Sequence, residues 1–167
     1  TLQPSAVAVD TQGNIFVADG HGGASNARIV KYDRSGKFIK EWGTRGSGRG
    51  QLDAPHALAM DSKGRLFVAD RANNRLQIFD QNGTYLDEWH QFSRPSGVYI
   101  DKNDIIYVAD SESNNSRKHG EWKRGIRAIY YGILLLFSVW GIFVIRSASP
   151  FQLFKILANM AGIVLMI

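Results

Sequence analysis

Gly64-Arg65-Leu66-Phe67-Val68-Ala69-Asp70 is a short apolar run that a glycine turn precedes and an aspartate closes, the pattern of a buried strand between two tight connections. It recurs as Gly13-Asn14-Ile15-Phe16-Val17-Ala18-Asp19 and as Asn103-Asp104-Ile105-Ile106-Tyr107-Val108-Ala109-Asp110. The flanks recur as well. Pro55-His56-Ala57-Leu58-Ala59-Met60-Asp61 matches Pro4-Ser5-Ala6-Val7-Ala8-Val9-Asp10 and Pro95-Ser96-Gly97-Val98-Tyr99-Ile100-Asp101. The repeating unit therefore holds at least two strands.

Working outward, each of the first two units continues with two more strands. Arg28 to Asp33 answers Arg75 to Asp80, Ser35-Gly36 answers Asn82-Gly83, and Trp42 answers Trp89. Pro4 and Pro55 are 51 residues apart and Pro55 and Pro95 are 40 apart. The difference is two insertions, four residues between Asp19 and Arg28 and seven between Trp42 and Pro55, both in connections, where a repeat fold accepts them. Units of about 40 to 45 residues with four strands each are the spacing of propeller blades. One four-stranded sheet exposes both faces, so such units stack on their neighbours around an axis.

The two halves of the chain differ in charge. Residues 1–115 carry 13 basic and 14 acidic side chains, a net of −1, whereas residues 116–167 carry seven and one, a net of +6. The basic balance of the whole, +5, belongs to the end of the chain, and the repeats give no sign of nucleic-acid binding. The absence of cysteine excludes disulfides and thiolate-bound metal and leaves sites built from His and carboxylates. A first residue of Thr1 and a last stretch that stops inside an apolar run read as a fragment.

The P-x-x-[VL]-A-[VM]-D, [IL]-F-V-A-D and [AN]-R-[IL]-x-x-[FY]-D strands resemble the NHL-repeat family over residues 2–127. The resemblance implies an all-β chain: a partial β-propeller of four-stranded antiparallel NHL blades, with two full repeats and the start of a third. One or two hydrophobic helices are expected to follow. Such propellers usually have six blades. The boundaries expected are a propeller fragment over 1–115, a basic linker or remnant of the third blade over 116–127, and hydrophobic segments over 128–145 and 151–167.

Hairpin reversal returns the end of each second strand beside the start of the first, so His56 and Arg71 share one mouth of the ring with Ser5, Ser96 and the segments from Asp19 to Arg28 and from Asp110 to Ser113. A His in that place is either a rim residue capping a turn or a group aimed at a central site. Ala54-Pro55-His56-Ala57-Leu58-Ala59 and Val68-Ala69-Asp70-Arg71 are similar to the peptidyl-α-hydroxyglycine α-amidating lyase branch of the family. The resemblance implies that His56 is one of three zinc ligands and that Arg71 lies in the active site. It implies that Arg28 holds the substrate carboxylate, and that His21, standing where those lyases have Tyr, serves as base or as a further ligand. Calcium in a complete propeller is a further implication. Ser5 and Ser96 occupy the slot filled by His56, so two ligand positions are not filled by His within these repeats.

The other candidates read as architecture. Asp10, Asp61 and Asp101 recur at the end of the first strand, where Asp bonds the turn backbone. His90 and His119 read as solvated. The stretch Gly43 to Gly50 resembles a phosphate loop in glycine content alone, lacks Gly-Lys-[Ser/Thr], and is expected to be a flexible connection between blades. The recurring aromatics Trp42, Trp89, Tyr32, Phe79, Phe38 and Tyr85 are expected between the sheets.

Ala128 to Ile145 is a run of 18 uncharged residues, close to the ~20 that a membrane helix needs. Five basic residues from Arg117 to Arg127 precede it, which by the positive-inside rule sets that flank in the cytoplasm, whereas the lyase resemblance implies an extracytoplasmic propeller. Residues 147–162 are distantly similar to helices of natural-resistance-associated macrophage protein type metal transporters. Three readings follow: a zinc lyase fragment acting on a peptide or small-molecule ligand at the mouth, a non-catalytic platform for a protein or small ligand tethered through residues 128–167, or repeats joined to an unrelated membrane tail.

Overall fold

The computed structural model describes residues 3–22, 26–111 and 125–130. Strands β1 (Pro4–Val9), β2 (Ile15–Asp19), β3 (Arg28–Tyr32) and β4 (Phe38–Trp42) form one antiparallel sheet in the order β1-β2-β3-β4. A two-residue pair, β5 (Thr44–Arg45) and β6 (Gln51–Leu52), follows in the connection. Strands β7 (Pro55–Met60), β8 (Leu66–Asp70), β9 (Arg75–Phe79) and β10 (Tyr85–Trp89) repeat the first sheet. The third sheet runs β11 (Pro95–Ile100), β12 (Ile105–Asp110) and β13 (Gly125–Tyr130). All three are meanders, and the expectation of consecutive NHL-type blades holds.

The turns are made by the recurring aspartates. Asp61 accepts the N–H groups of Lys63 and Arg65 through one carboxylate oxygen at 3.0 and 2.8 Å; Asp10 treats Gln12 and Asn14 in the same way, and Asp101 treats Asn103 and Ile105. Asp33 and Asp80 do so between the third and fourth strands. Each carboxylate closes a two-strand turn that would otherwise leave N–H groups without an acceptor.

Strand alternation gives each blade two unlike faces. One carries Leu58, Met60, Leu66, Val68, Phe79 and Tyr85 in the second blade, and it packs on Ala6, Ala8, Phe16, Ala18, Ile29 and Trp42 of the first. The second blade in turn presents Ala57, Phe67, Ala69, Leu76, Ile78 and Trp89 to Val98, Ile100, Ile106 and Val108 of the third. Small residues on the inner strand let the sheets approach at the axis, while Trp42 and Trp89 fill the wider outer gap beside Phe79 and Phe67. Of the aromatics expected between the sheets, Trp42, Trp89, Phe79 and Tyr85 are there, whereas Tyr32 and Phe38 meet edge-on on the other face of the first blade, where Phe38 is 54% exposed.

Two features differ from the expectations. The connection 43–54 is not a loose loop. Arg75, only 3% exposed, donates to the carbonyls of Ser47, Gly48 and Gln51, and Gln77 exchanges bonds with Gly50 N and Gln51 O, so buried side chains of β9 hold the loop down. The second difference is β13, which pairs with β12 along six consecutive residues from Asp110↔Gly125 to Ile105↔Tyr130. It takes residues 128–130 out of the helix expected over 128–145, because their backbone groups are committed to a sheet ladder. The rest of that run, the segment 151–167 and His119 lie outside the described residues. Among the described residues no helix is long and apolar enough to cross a membrane.

Candidate functional site

In every blade the pairing of first and second strands is interrupted at the same place. Pro4↔Asp19, Pro55↔Asp70 and Pro95↔Asp110 are in register, and the register shifts immediately afterwards, across Ser5, across His56 and Ala57, and across Ser96. Proline brings no N–H to the ladder, and the bulge that follows frees the next side chain to turn toward the mouth. His56 stands in that slot in the second blade. Its Nδ1 lies 2.7 Å from the carbonyl oxygen of Ser96 in the third blade. A carbonyl only accepts, so Nδ1 carries the proton and Nε2 keeps the lone pair, the tautomer a metal ligand or a base requires. Ser5 makes the corresponding link one blade earlier, donating from Oγ to the carbonyl of Pro55.

His21 comes to this place from the neighbouring blade. Its N–H, like that of Gly20, is directed at the carbonyl of Gln3. Gly20 has φ of 144°, and a Cβ there would stand 1.6 Å from the carbonyl oxygen of Asn26, so only glycine lets the chain fold back on itself at this point. The His21 and His56 rings meet with centroids 4.8 Å apart and planes inclined by 47°. Arg71, which follows β8, donates from Nε to Ser96 Oγ at 3.1 Å, so one serine of the third blade receives both the histidine and the arginine of the second. Burial, with the charges of Arg71 and Arg94 and the neighbouring His21, holds the His56 imidazole below its ordinary value of 6.5 even though the Ser96 carbonyl favours its protonated form. The ring is therefore neutral at physiological pH.

Arg28 is engaged elsewhere. Its Nε meets Asp19 at 3.0 Å and its Nη1 meets Glu41 at 2.8 Å. Arg75 does the same in the second blade with Asp70 and Glu88, each at 2.8 Å. The two arginines are repeat equivalents, and each ties the end of the second strand to the fourth. The hydrogen bonds to Asp19 and Glu41 outweigh burial and raise the Arg28 pKa above its ordinary value. A guanidinium so committed fastens the blade.

The structure gives bonding roles to two kinds of residue that the sequence reading placed without one. Asp19, Asp70 and Asp110, which end the second strands, accept the backbone N–H groups just ahead of each proline, those of Gln3, Asp53 and Ser93 with Arg94. Their recurrence was visible; their target was not, because it lies in the preceding connection. Ser96 is the other. It joins His56, Arg71 and Ser111, whose Oγ is 2.5 Å from its own. His90 is half exposed and lies 3.4 Å from Glu88, away from this cluster. Among the described residues no group of three or more His, Cys, Asp or Glu side chains is placed to hold a metal ion.

Comparison with known proteins agrees with this architecture. The family profile described as "NHL repeat" matches residues 52–79 and 92–117. Human NHL repeat-containing protein 3 is 36% identical over 88 residues, which are 52% of this chain and 25% of that protein. Peptidyl-alpha-hydroxyglycine alpha-amidating lyase 1 of Drosophila melanogaster is 39% identical over 98 residues, 53% of this chain and 18% of that one. The chain thus spans a quarter or less of the length of these relatives. Among solved structures, the hydrazine synthase of Kuenenia stuttgartiensis superposes with a TM-score of 0.52 at 22% identity, over 65% of this chain and 29% of that one, and shares the fold.

Proposed function

We propose, for a chain that carries NHL repeats and folds them as successive blades, that the mouth built from His21, His56 and Arg71 is part of an amidating-lyase site. The observation that carries this reading is the convergence of two imidazoles from adjacent blades, 4.8 Å apart, with an arginine bound to the serine that receives His56. The donor set suits zinc as far as it goes. Two imidazole nitrogens are borderline ligands of the kind zinc takes, and His56 Nε2 is presented with its other nitrogen donating to a carbonyl, the usual support of a metal-bound His. Zinc held through His56 and ligands from further blades supplies positive charge to polarise a hydroxyl oxygen.

The chain's own groups do the rest. The Arg71 guanidinium pairs with the carboxylate of a C-terminal α-hydroxyglycine. Arg28 is not assigned that task, since Asp19 and Glu41 occupy it. His21 takes the proton of the α-hydroxyl. As that carbon–oxygen bond becomes a carbonyl, the carbon–nitrogen bond breaks and its electron pair leaves on nitrogen. The nitrogen then takes a proton, so peptide amide and glyoxylate are formed with no oxidant or reductant consumed. In this reading the apolar residues 131–167 anchor the protein to a membrane, which extraction by carbonate against detergent tests directly.

The test of the site is zinc content and glyoxylate release from the full-length protein, with and without His56→Ala and His21→Ala. Loss of metal and of product in His56→Ala, and loss of product with metal retained in His21→Ala, are the expected results. Metal unchanged in both variants, with no glyoxylate from any form, would leave a non-catalytic ligand-binding platform as the function.

A further inference from the structure

The turn between the third and fourth strands is built twice on one plan. In each copy an aspartate carboxylate accepts the N–H groups two and four positions on: Asp33 those of Ser35 and Lys37, Asp80 those of Asn82 and Thr84. In each the fourth residue is glycine at positive φ, 85° for Gly36 and 82° for Gly83. A Cβ on Gly83 would also stand 2.6 Å from the ring of Trp42. The plan therefore demands Asp and Gly and leaves open the residues on either side of the glycine. The first blade fills them with Ser35 and Lys37, the second with Asn82 and Thr84.

Those side chains are used differently. Ser35 turns back on its own turn, donating from Oγ to Asp33 at 2.6 Å. In the second blade the side-chain bond to the carboxylate comes from Thr84, and Asn82 is engaged through its backbone alone. Its carbonyl receives Lys40 Nζ and the carbonyl of Gln81 receives Lys31 Nζ, so the first blade pins the backbone of this turn. The Asn82 carboxamide makes no hydrogen bond among the described residues, and both Asn82 and Thr84 are exposed. An exposed Asn followed by a residue other than proline and then by Thr is the acceptor pattern for N-linked glycosylation.

We infer that Asn82 is a site of N-linked glycosylation. Its Nδ2 attacks the anomeric carbon of a lipid-diphosphate-linked oligosaccharide. A carbon–nitrogen bond forms, the carbon–oxygen bond to the diphosphate breaks with its electron pair, and one amide proton is lost. The place suits a bulky group. Strand β9 runs from Arg75, paired with Asp70 at the mouth, to Phe79, paired with Leu66, and the turn lies beyond Phe79, so the glycan leaves the mouth open. The turn leads into β10, the last strand of its sheet, where Leu86 is 47% exposed, and a hydrophilic chain beside such an edge discourages pairing with other strands. Transfer takes place in the secretory pathway, so the inference rests on the amidating-lyase reading, whose resemblance sets the repeats outside the cytoplasm.

The test is site-specific mass spectrometry of the full-length protein from a eukaryotic host, before and after a glycosidase that releases N-glycans and leaves Asp at the acceptor. Asn114-Asn115-Ser116, outside the described residues, has the same pattern, so the result is read on the peptide that holds residue 82. A glycan at Asn82 is expected, lost in Asn82→Gln and Thr84→Ala and kept in Thr84→Ser. Asn82→Gln gives up no side-chain bond within the described residues, and circular dichroism checks that the variants stay folded. An unmodified Asn82 in the parent, or a glycan at residue 82 that persists in Thr84→Ala, would overturn the inference. Glyoxylate release from the same preparations separates the two readings. Product from a protein without a glycan at Asn82 overturns this inference and keeps the lyase; a glycan at Asn82 without product does the reverse.

Discussion

Replacing Asp70 by Ala tests whether the end of the second strand organises the approach to His56. Asp70 is fully buried and receives four donors: Asp53 N at 2.7 Å, Arg75 Nε at 2.8 Å, Asn73 Nδ2 at 2.9 Å and Gln77 Nε2 at 3.1 Å. Removing one partner of a buried ion pair costs about 3 to 5 kcal/mol, because the other charge stays behind without compensation. Arg75 keeps Glu88 at 2.8 Å, which holds the cost near the lower end. The Asp53 N–H, left without its acceptor, adds about 1 kcal/mol or more. A loss of about 3 to 4 kcal/mol is expected in urea unfolding followed by the fluorescence of Trp42 and Trp89. Asp70→Asn retains one acceptor oxygen and should lose clearly less. The His56 proton signals should also shift in the Ala variant, since Asp53 leads through Ala54, held at φ of 52°, directly into Pro55 and His56. A destabilisation below about 1 kcal/mol would refute the claim that this carboxylate sets the mouth.

Leu66→Ala, at a site with no exposure between the first two blades, should cost about 2 to 5 kcal/mol in the same unfolding assay. Acid stability should follow the turn aspartates. Asp10, Asp33, Asp80 and Asp101 are held below their ordinary value of 3.8, by hydrogen bonds from the turn backbone and side chains that outweigh burial. Their contribution is complete above 3.8 and is lost as the pH falls through their lower folded values, so their share of the urea midpoint should be level above about pH 5 and drop below about 4. Asp70, pushed up by burial, acts in the opposite sense, one group against four. His56 should titrate below 6.5 by NMR. Because its folded pKa is depressed, the unfolded chain takes the proton first, and stability falls as pH drops through 6.5; Arg71→Gln should move the titration back up.

The blades were legible because a strand pattern of period two, repeated at fixed spacing, leaves few alternatives. The grouping of His56, Arg71 and His21 was legible too, since a hairpin turn of known length fixes which ends meet. The bulge after each proline was not, because it depends on pairing rather than on residue type. The pairing of Arg28 with Asp19 and Glu41 was legible only through its repeat equivalent Arg75, which makes the same two links to Asp70 and Glu88. The glycines of the 43–54 connection suggested looseness; the residues that hold it, Arg75 and Gln77, are 24 or more positions away from the carbonyls they bind. Strand β13 carries no motif of its own and merges into an apolar run, which hid its end.

The slot after each proline has a consequence for how such a site arises. Ser5 and His56 differ in size and chemistry, yet each gives a proton to a carbonyl on the first strand of the next blade. Exchange between them leaves the blade-to-blade fastening in place, because imidazole has a second nitrogen that the fastening does not use. A blade can thus gain or lose an imidazole nitrogen at the mouth by one substitution without loosening its contact with the next blade. Chemistry at the axis becomes a choice made blade by blade, on a scaffold whose cohesion does not depend on the choice.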